Sequence, residues 1–283
     1  MYKLPSLEEL LEAGVHFGHQ VRRGHPRMKP YIFGARDGVH IIDLTQSHKY
    51  LKEASEFVYE LGKTGKVLLF VGTKKQARPI VESLAKKLNA SYMTERWMGG
   101  FLTNFEEIKK NIKLLKEFRQ QKEKGELAKY TKKELLLLDR KMAKLEKDFA
   151  GVMDLERLPD AIFVTDAVSE NIAVREANRL KIKVVAIADS NCNVSEIDYP
   201  IPGNDDAIKS IKILVEAIAA ALEEGKKEGG KQAAKIAKKE EKEAAKKAAE
   251  EEGAIDEQLI VEVVAAEEQV EKATVKEAER VVE

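Results

Sequence analysis

Val67-Leu68-Leu69-Phe70-Val71 is an unbroken apolar run closed by Gly72-Thr73, and two more follow: Ala161-Ile162-Phe163-Val164 and Lys183-Val184-Val185-Ala186-Ile187-Ala188. A strand with one face in water alternates apolar and polar residues; a continuous apolar run belongs in a sheet covered on both faces. Helical periodicity fills the intervals. Leu51, Ala54, Val58 and Leu61 mark a helix over Thr45–Leu61 that Gly62 and Gly65 are expected to stop. After Gly72-Thr73 a helix is predicted to run to about Leu88, with Pro79 in its first turns and a short strand at Ala90–Met93 after it. Ser169–Leu180 and Asp206–Leu222 read as further helices, the latter capped by Gly203-Asn204-Asp205, with a short strand at Ile197–Ile201. Upstream, Tyr31–Phe33 and Val39–Leu44 flank Gly34-Ala35-Arg36-Asp37-Gly38, the pattern of a hairpin. Strand and helix in alternation predict an α/β fold, a parallel sheet covered by helices.

One segment breaks the alternation. Phe105, Ile108, Ile112, Leu115 and Phe118 repeat at helical spacing, and Thr131-Lys132-Lys133-Glu134 fits a capping box. Leu135, Leu138, Met142, Leu145 and Phe149 then form a heptad-like seam. Two such helices predict an antiparallel coiled-coil hairpin inserted into the α/β layer. The expected organisation is a discontinuous α/β domain at 1–104 and 151–225, the hairpin at 105–150, and a disordered tail at 226–283 rich in Lys, Glu and Ala.

Charge and cysteine use narrow the function classes. The 283 residues carry 49 Lys and Arg against 49 Asp and Glu. That balance averages a net +4 over residues 1–225, +2 over 226–252 and −6 over 253–283. Gln20 to Arg36 holds five cations (Arg22, Arg23, Arg27, Lys29 and Arg36) and no acid, and residues 100–150 hold fourteen cations against nine acids. Local charge counts, because screening acts over ~8 Å at physiological salt. The single Cys192 excludes a disulfide scaffold and a four-cysteine zinc site. No apolar run approaches the ~18 residues of a membrane span, and the first twenty residues lack an apolar leader core. A cytoplasmic protein is expected.

Four readings of the chemistry compete. Asp43, Gly72-Thr73-Lys74-Lys75, Thr165-Asp166 and Asp189-Ser190-Asn191 stand where doubly wound sheets bind ligands. A phosphate-binding enzyme could use them, although the spacing of a phosphate loop is missing and helix capping accounts for the same residues. His16 and His19 stand three apart, but Gly14 and Gly18 interrupt the local helix, so packing histidines explain the pair better than a metal. For nucleic acid, Arg22, Arg23, Arg27 and Lys29 occupy a Gly- and Pro-containing loop, with Arg36 beyond it. Lys74, Lys75 and Arg78 are placed at a helix amino terminus, where free amides favour anions. Arg96, Lys109, Lys110 and Lys113 extend the basic set along the predicted hairpin, with Lys116. The fourth reading is a protein-docking platform without RNA, whose binding would hardly change with salt.

Longer strings carry a resemblance. Ala13-Gly14-Val15-His16-Phe17-Gly18-His19-Gln20, Lys29-Pro30-Tyr31-Ile32-Phe33-Gly34 and Gly38-Val39-His40-Ile41-Ile42-Asp43-Leu44 are similar to the bacterial small-subunit ribosomal proteins of the S-two family. So are Phe70–Ala77, Arg96–Phe105, Pro159–Val164 and the Asp189–Cys192 region, spread over residues 1–225. The resemblance implies a flavodoxin-like domain with a protruding coiled-coil hairpin and no catalytic activity. It also implies no cofactor, no metal, no small-molecule substrate and no membrane. The implied partners are 16S ribosomal RNA, between head and body of the 30S particle, and other 30S proteins, including the large mRNA-binding protein one. Where the family often has Trp-Asn-Pro, this chain has Gly24-His25-Pro26, so a tryptophan anchor for the basic loop is absent.

Overall fold

The computed structural model describes residues 2–124 and 132–231. The predicted capping box at Thr131 and the tail beyond Lys231 lie outside the described residues. The chain divides into a unit spanning Met1–Gly229 and a second from Gly230 onward.

The first unit begins with α1 (Leu7–Glu12), capped by Ser6 and Glu9 in a reciprocal capping box. β1 (Phe17–Gln20), β2 (Ile32–Arg36) and β3 (Val39–Ile42) form a three-stranded antiparallel sheet in the order β1-β3-β2. Two 3-10 turns, Val21–Arg23 and Pro26–Tyr31, join β1 to β2. The hairpin turn is tighter than predicted: Gly34 to Arg36 pair with β3, and Asp37-Gly38 alone make the turn with φ of 52° and 77°. Two successive positive φ values are what a two-residue hairpin turn requires, and Asp-Gly tolerates them.

α2 (Leu44–Lys63) follows, with the Asp43 carboxylate accepting from Thr45 N–H at its amino end. Five parallel strands then build the main sheet: β4 (Leu68–Val71), β5 (Ser91–Met93), β6 (Ala161–Val164), β7 (Lys183–Ala188) and β8 (Tyr199–Pro202), in the order β5-β4-β6-β7-β8. All four residues of β4 and of β6 are buried. Alternate side chains serve two cores. Leu68, Phe70, Ala161, Phe163, Val185 and Ile187 face a cluster with α2, with α3 (Arg78–Lys87) and with a last helix, α7, over residues 208–229. Leu69, Val71, Ile162, Val164, Val184 and Ala186 face the other, with α6 (Asn171–Arg179) and the helices described next.

Between β5 and β6 stand α4 (Phe105–Glu123) and α5 (Lys132–Phe149). Phe105, Ile108, Ile112, Leu115 and Phe118 are buried on α4, as are Met142 and Phe149 on α5. Ion pairs Arg119–Glu146 at 2.7 Å and Lys122–Asp139 at 3.1 Å join the two outer faces.

Two glycines sit at a helix contact. Gly62 lies inside α2 rather than ending it, and Gly225 lies inside α7. A Cβ on Gly62 would stand 2.8 Å from the carbonyl oxygen of Leu222, and one on Gly225 would collide with that of Tyr59. The glycines let the backbones of α2 and α7 touch, which fixes the register of both helices on one face of the sheet.

Candidate nucleic-acid interface

In a sheet ordered β5-β4-β6-β7-β8, the chain reverses direction between β4 and β6, and ligands of doubly wound folds enter at the carboxyl ends of those strands. Here that crevice is filled from within. Lys74 points inward, its ammonium 2.8 Å from carboxylate oxygens of Asp166, Asp205 and Asp206. Asp166 also caps the turn before α6, accepting from the N–H groups of Val168 at 2.8 Å and Ser169 at 3.0 Å. Thr73 donates its hydroxyl to Glu170. A Cβ on Gly72 would lie 2.9 Å from Val81 and 3.1 Å from Thr165, so the backbone itself closes on the adjoining strand.

β1 covers what remains. The backbone N–H of His19 donates to Ser190 Oγ at 2.8 Å and to Asp189 Oδ1 at 3.2 Å, while Asn204 N–H donates to Val15 O at 3.1 Å. The His19 ring lies 3.1 Å from Asp189 and 3.5 Å from Asp206. The hydrogen bond to Asp189 raises its pKa against the opposing effect of burial. Burial, followed by the charges of Asp166 and Asp189, pushes the Asp205 carboxyl up to about 8. Several buried acids thus face one ammonium and one imidazole, and the cluster retains a proton near neutrality. His19, Asp205 and Asp206 bring ligand atoms together as a cation site would, but the Lys74 ammonium already holds both aspartates.

The other enzyme candidates are equally committed. Asp43 caps α2, and His16 packs on Phe17 with ring centroids 4.0 Å apart. Cys192 is buried, and burial followed by the nearby aspartates pushes its thiol up to about 12, which leaves it protonated and inert. A cavity of about 590 Å³ opens at the amino ends of β4 and β5, away from the ligand-binding end of the sheet. Its lining includes Lys66, Ser91, Asp154 and Glu156 but no histidine or cysteine.

The cations outside the crevice are arranged differently. Arg22, Arg23, Arg27, Lys29 and Arg36 are all exposed. Among the described residues, Arg23, Arg27 and Lys29 make no ion pair, Arg22 donates to Gln20 at 2.9 Å, and Arg36 reaches Asp37 at 3.7 Å. Their loop is not slack despite the missing tryptophan. His25 N–H donates to Ser190 O at 2.8 Å, and the His25 ring accepts from Arg27 N–H. Met28 is fully buried, and a Cβ on Gly24 would stand 2.5 Å from His40 Nε2. The loop backbone is therefore bonded to the end of β7 while its basic side chains face water.

The remaining predicted cations divide. Lys74 leaves the phosphate-facing set, because three carboxylates already neutralise it. Lys75 is exposed on the turn before α3, whose first residue is Arg78. Arg78 donates to Thr73 O at 2.8 Å and pairs with Glu95 at 3.3 Å, so it is partly spent on holding that turn. Arg96 is exposed. Lys109, Lys110 and Lys113 each have an acidic neighbour on their own helix, Glu106, Glu107 and Glu117. Such exposed pairs are weak, screened by solvent, and give way readily to a phosphate.

Sequence reasoning missed Glu176. Its carboxylate accepts from Gly100 N–H at 2.7 Å, Leu102 N–H at 2.9 Å, Thr103 N–H at 3.2 Å and the Trp97 indole at 3.2 Å. Burial works against the charge, yet these donors outweigh it and hold the carboxyl below its usual range. Glu176 thereby anchors the loop from which α4 departs.

Comparison with known proteins places the chain among relatives. Residues 10–225 match the family model described as Ribosomal protein S2. The chain is 50% identical over 221 residues to the small ribosomal subunit protein uS2 of a Nitratiruptor species, covering 78% of this chain and 83% of that protein. It is 50% identical over 220 residues to uS2 of Dictyoglomus thermophilum, covering 78% and 89%. It is 48% identical over 220 residues to uS2 of Koribacter versatilis, covering 78% and 73%. No helix among the described residues is long and apolar enough to cross a membrane. With a match that takes in both sheets, the basic loop and the closed crevice, this chain belongs to the ribosomal protein S2 family.

Proposed function

We propose that the chain is a non-catalytic structural constituent of the small ribosomal subunit, working in the cytoplasm and bound to 16S ribosomal RNA. The observation that carries the RNA contact is the Arg22–Lys29 loop: four exposed cations, none with an ionic partner among the described residues, on a backbone bonded to the main sheet. Cations already neutralised by carboxylates gain little from a phosphate, whereas free ones release counterions and supply affinity. Lys75, Arg96, Arg36 and the outer face of α4 extend the contact, with Arg78 as a partial contributor.

In this reading α4 and α5 form an antiparallel coiled-coil hairpin, residues 105–150, inserted into a flavodoxin-like domain at 1–104 and 151–225. Their facing apolar stripes and interhelical ion pairs support it. The family resemblance extends the proposal to docking of the large mRNA-binding protein one and other 30S proteins. The test is zero-length crosslinking of the full chain in assembled subunits. Adducts between 16S RNA and Arg22–Lys29 are expected; RNA adducts confined to other surfaces would reject the loop as the contact.

A further inference from the structure

We propose that the outward face of the β1-β3-β2 sheet is a base-stacking surface: Phe33 stacks on an unpaired nucleotide of the bound RNA, and Arg36 and Arg22 hold the adjoining phosphates. The proposal rests on the RNA reading above and adds the kind of nucleotide that the surface selects.

Phe33 is 82% exposed, whereas Phe70, Phe101, Phe149 and Phe163 are fully buried. Single exposed apolar residues are common, so its position has to decide the matter. Ile32 pairs with Ile42 and Gly34 with Ile41, which leaves Phe33 as the extra residue of a β-bulge. Bulges re-aim a side chain that regular pairing would hold in line. Gly34, Ile41 and Phe17 form one row across the sheet, and Arg36, Val39 and Gln20 form the next row on the same face. Phe17 is 50% exposed, and a Cβ on Gly34 would find nothing within 4 Å. This face therefore offers aromatic surface beside open space. Arg36 lies in the neighbouring row, and Arg22 is steadied by its hydrogen bond to Gln20.

Charge chooses the occupant. An apolar pocket on a protein would have to close over a segment with five cations and no acid between Gln20 and Arg36. An unpaired nucleotide brings a π-face and a phosphate together, which is the pairing that single-stranded RNA sites use.

The test compares the full-length chain with Phe33→Ala, Phe33→Leu and Phe33→Trp, titrated against deproteinised 16S RNA over a range of salt. Because Phe33 is exposed, the variants should melt with the parent. Phe33→Ala and Phe33→Leu should each weaken binding about 5- to 100-fold with an unchanged salt slope, and Phe33→Trp should restore it. Equal binding by Phe33→Ala and the parent would overturn the proposal, as would Phe33→Leu binding as well as Phe33→Trp. If Phe33→Ala binds RNA normally but fails to enter subunits, Phe33 fits a protein pocket and stacking is wrong. If the parent itself shows no salt-dependent binding, the RNA reading fails first, and the stacking surface with it.

Discussion

Replacing Glu176 by Gln changes one atom and should loosen the whole root of α4. One carboxylate oxygen accepts from Gly100 N–H and the Trp97 indole, and the other from the N–H groups of Leu102 and Thr103 and the Thr103 hydroxyl. Whichever way a glutamine amide turns, its NH2 group meets at least two donors, and Leu102 is buried. Hydrogen bonds to a charged acceptor contribute about 1.5–3 kcal/mol each, and an orphaned buried donor costs about 1–3 kcal/mol. Two lost bonds, partly relieved by relaxation, put the cost of Glu176→Gln at about 2–4 kcal/mol. For a unit of this size that is a fall in melting temperature of roughly 5–15 °C. Thermal and urea unfolding read the loss directly, and amide exchange at residues 100–103 should accelerate before the rest of the sheet opens. A destabilisation below about 1 kcal/mol, with exchange unchanged, would refute the idea that this carboxylate holds the loop.

Stability should fall as pH rises from about 6.5 through about 8. Both His19 and Asp205 hold their protons more tightly folded than unfolded. Their contribution is complete below the unfolded values, about 6.5 and 3.9, and is lost as pH passes the raised folded values. Each proton that the native cluster binds beyond the unfolded chain adds at most about 1.4 kcal/mol per pH unit to the slope; melting temperatures that rise over this window would contradict the cluster's proposed protonation. Lys74→Met should destabilise by about 3–5 kcal/mol near neutral pH, since it strands buried carboxylates without their counter-charge; denaturant titration checks it. Gly225→Ala, which drives a methyl into the Tyr59 carbonyl, should cost about 1–3 kcal/mol despite alanine's better helix propensity. Gly34→Ala, with open space around its Cβ, should stay within about 0.5 kcal/mol by the same melts.

The main sheet was legible because its strands are continuous apolar runs, and β6 and β7 fall where Ala161–Val164 and Lys183–Ala188 predict. β1 was not: Phe-Gly-His-Gln has no strand pattern, and its pairing depends on Ser190 and Asp189, some 170 residues away. Gly62 reads as a breaker because a lone sequence shows what glycine permits locally and hides the neighbour that needs the space. Lys74 misled for a related reason. A lysine after a strand end looks free until the three aspartates that fold around it are placed. Glu176 gave no local signal at all, since every donor it serves lies more than 70 residues away. The loop cations were legible from charge alone, and the structure adds which of them lack a partner among the described residues.

The most direct test of the central claim is the salt dependence of binding to 16S RNA, comparing the full chain with a variant in which Arg22, Arg23, Arg27 and Lys29 are all alanine. These side chains are exposed and make no ion pair among the described residues, so the fold should survive. If they neutralise phosphates, the log–log slope should shrink by about three to four, and the variant should leave the RNA at markedly lower salt. Unchanged slope and affinity would contradict the account.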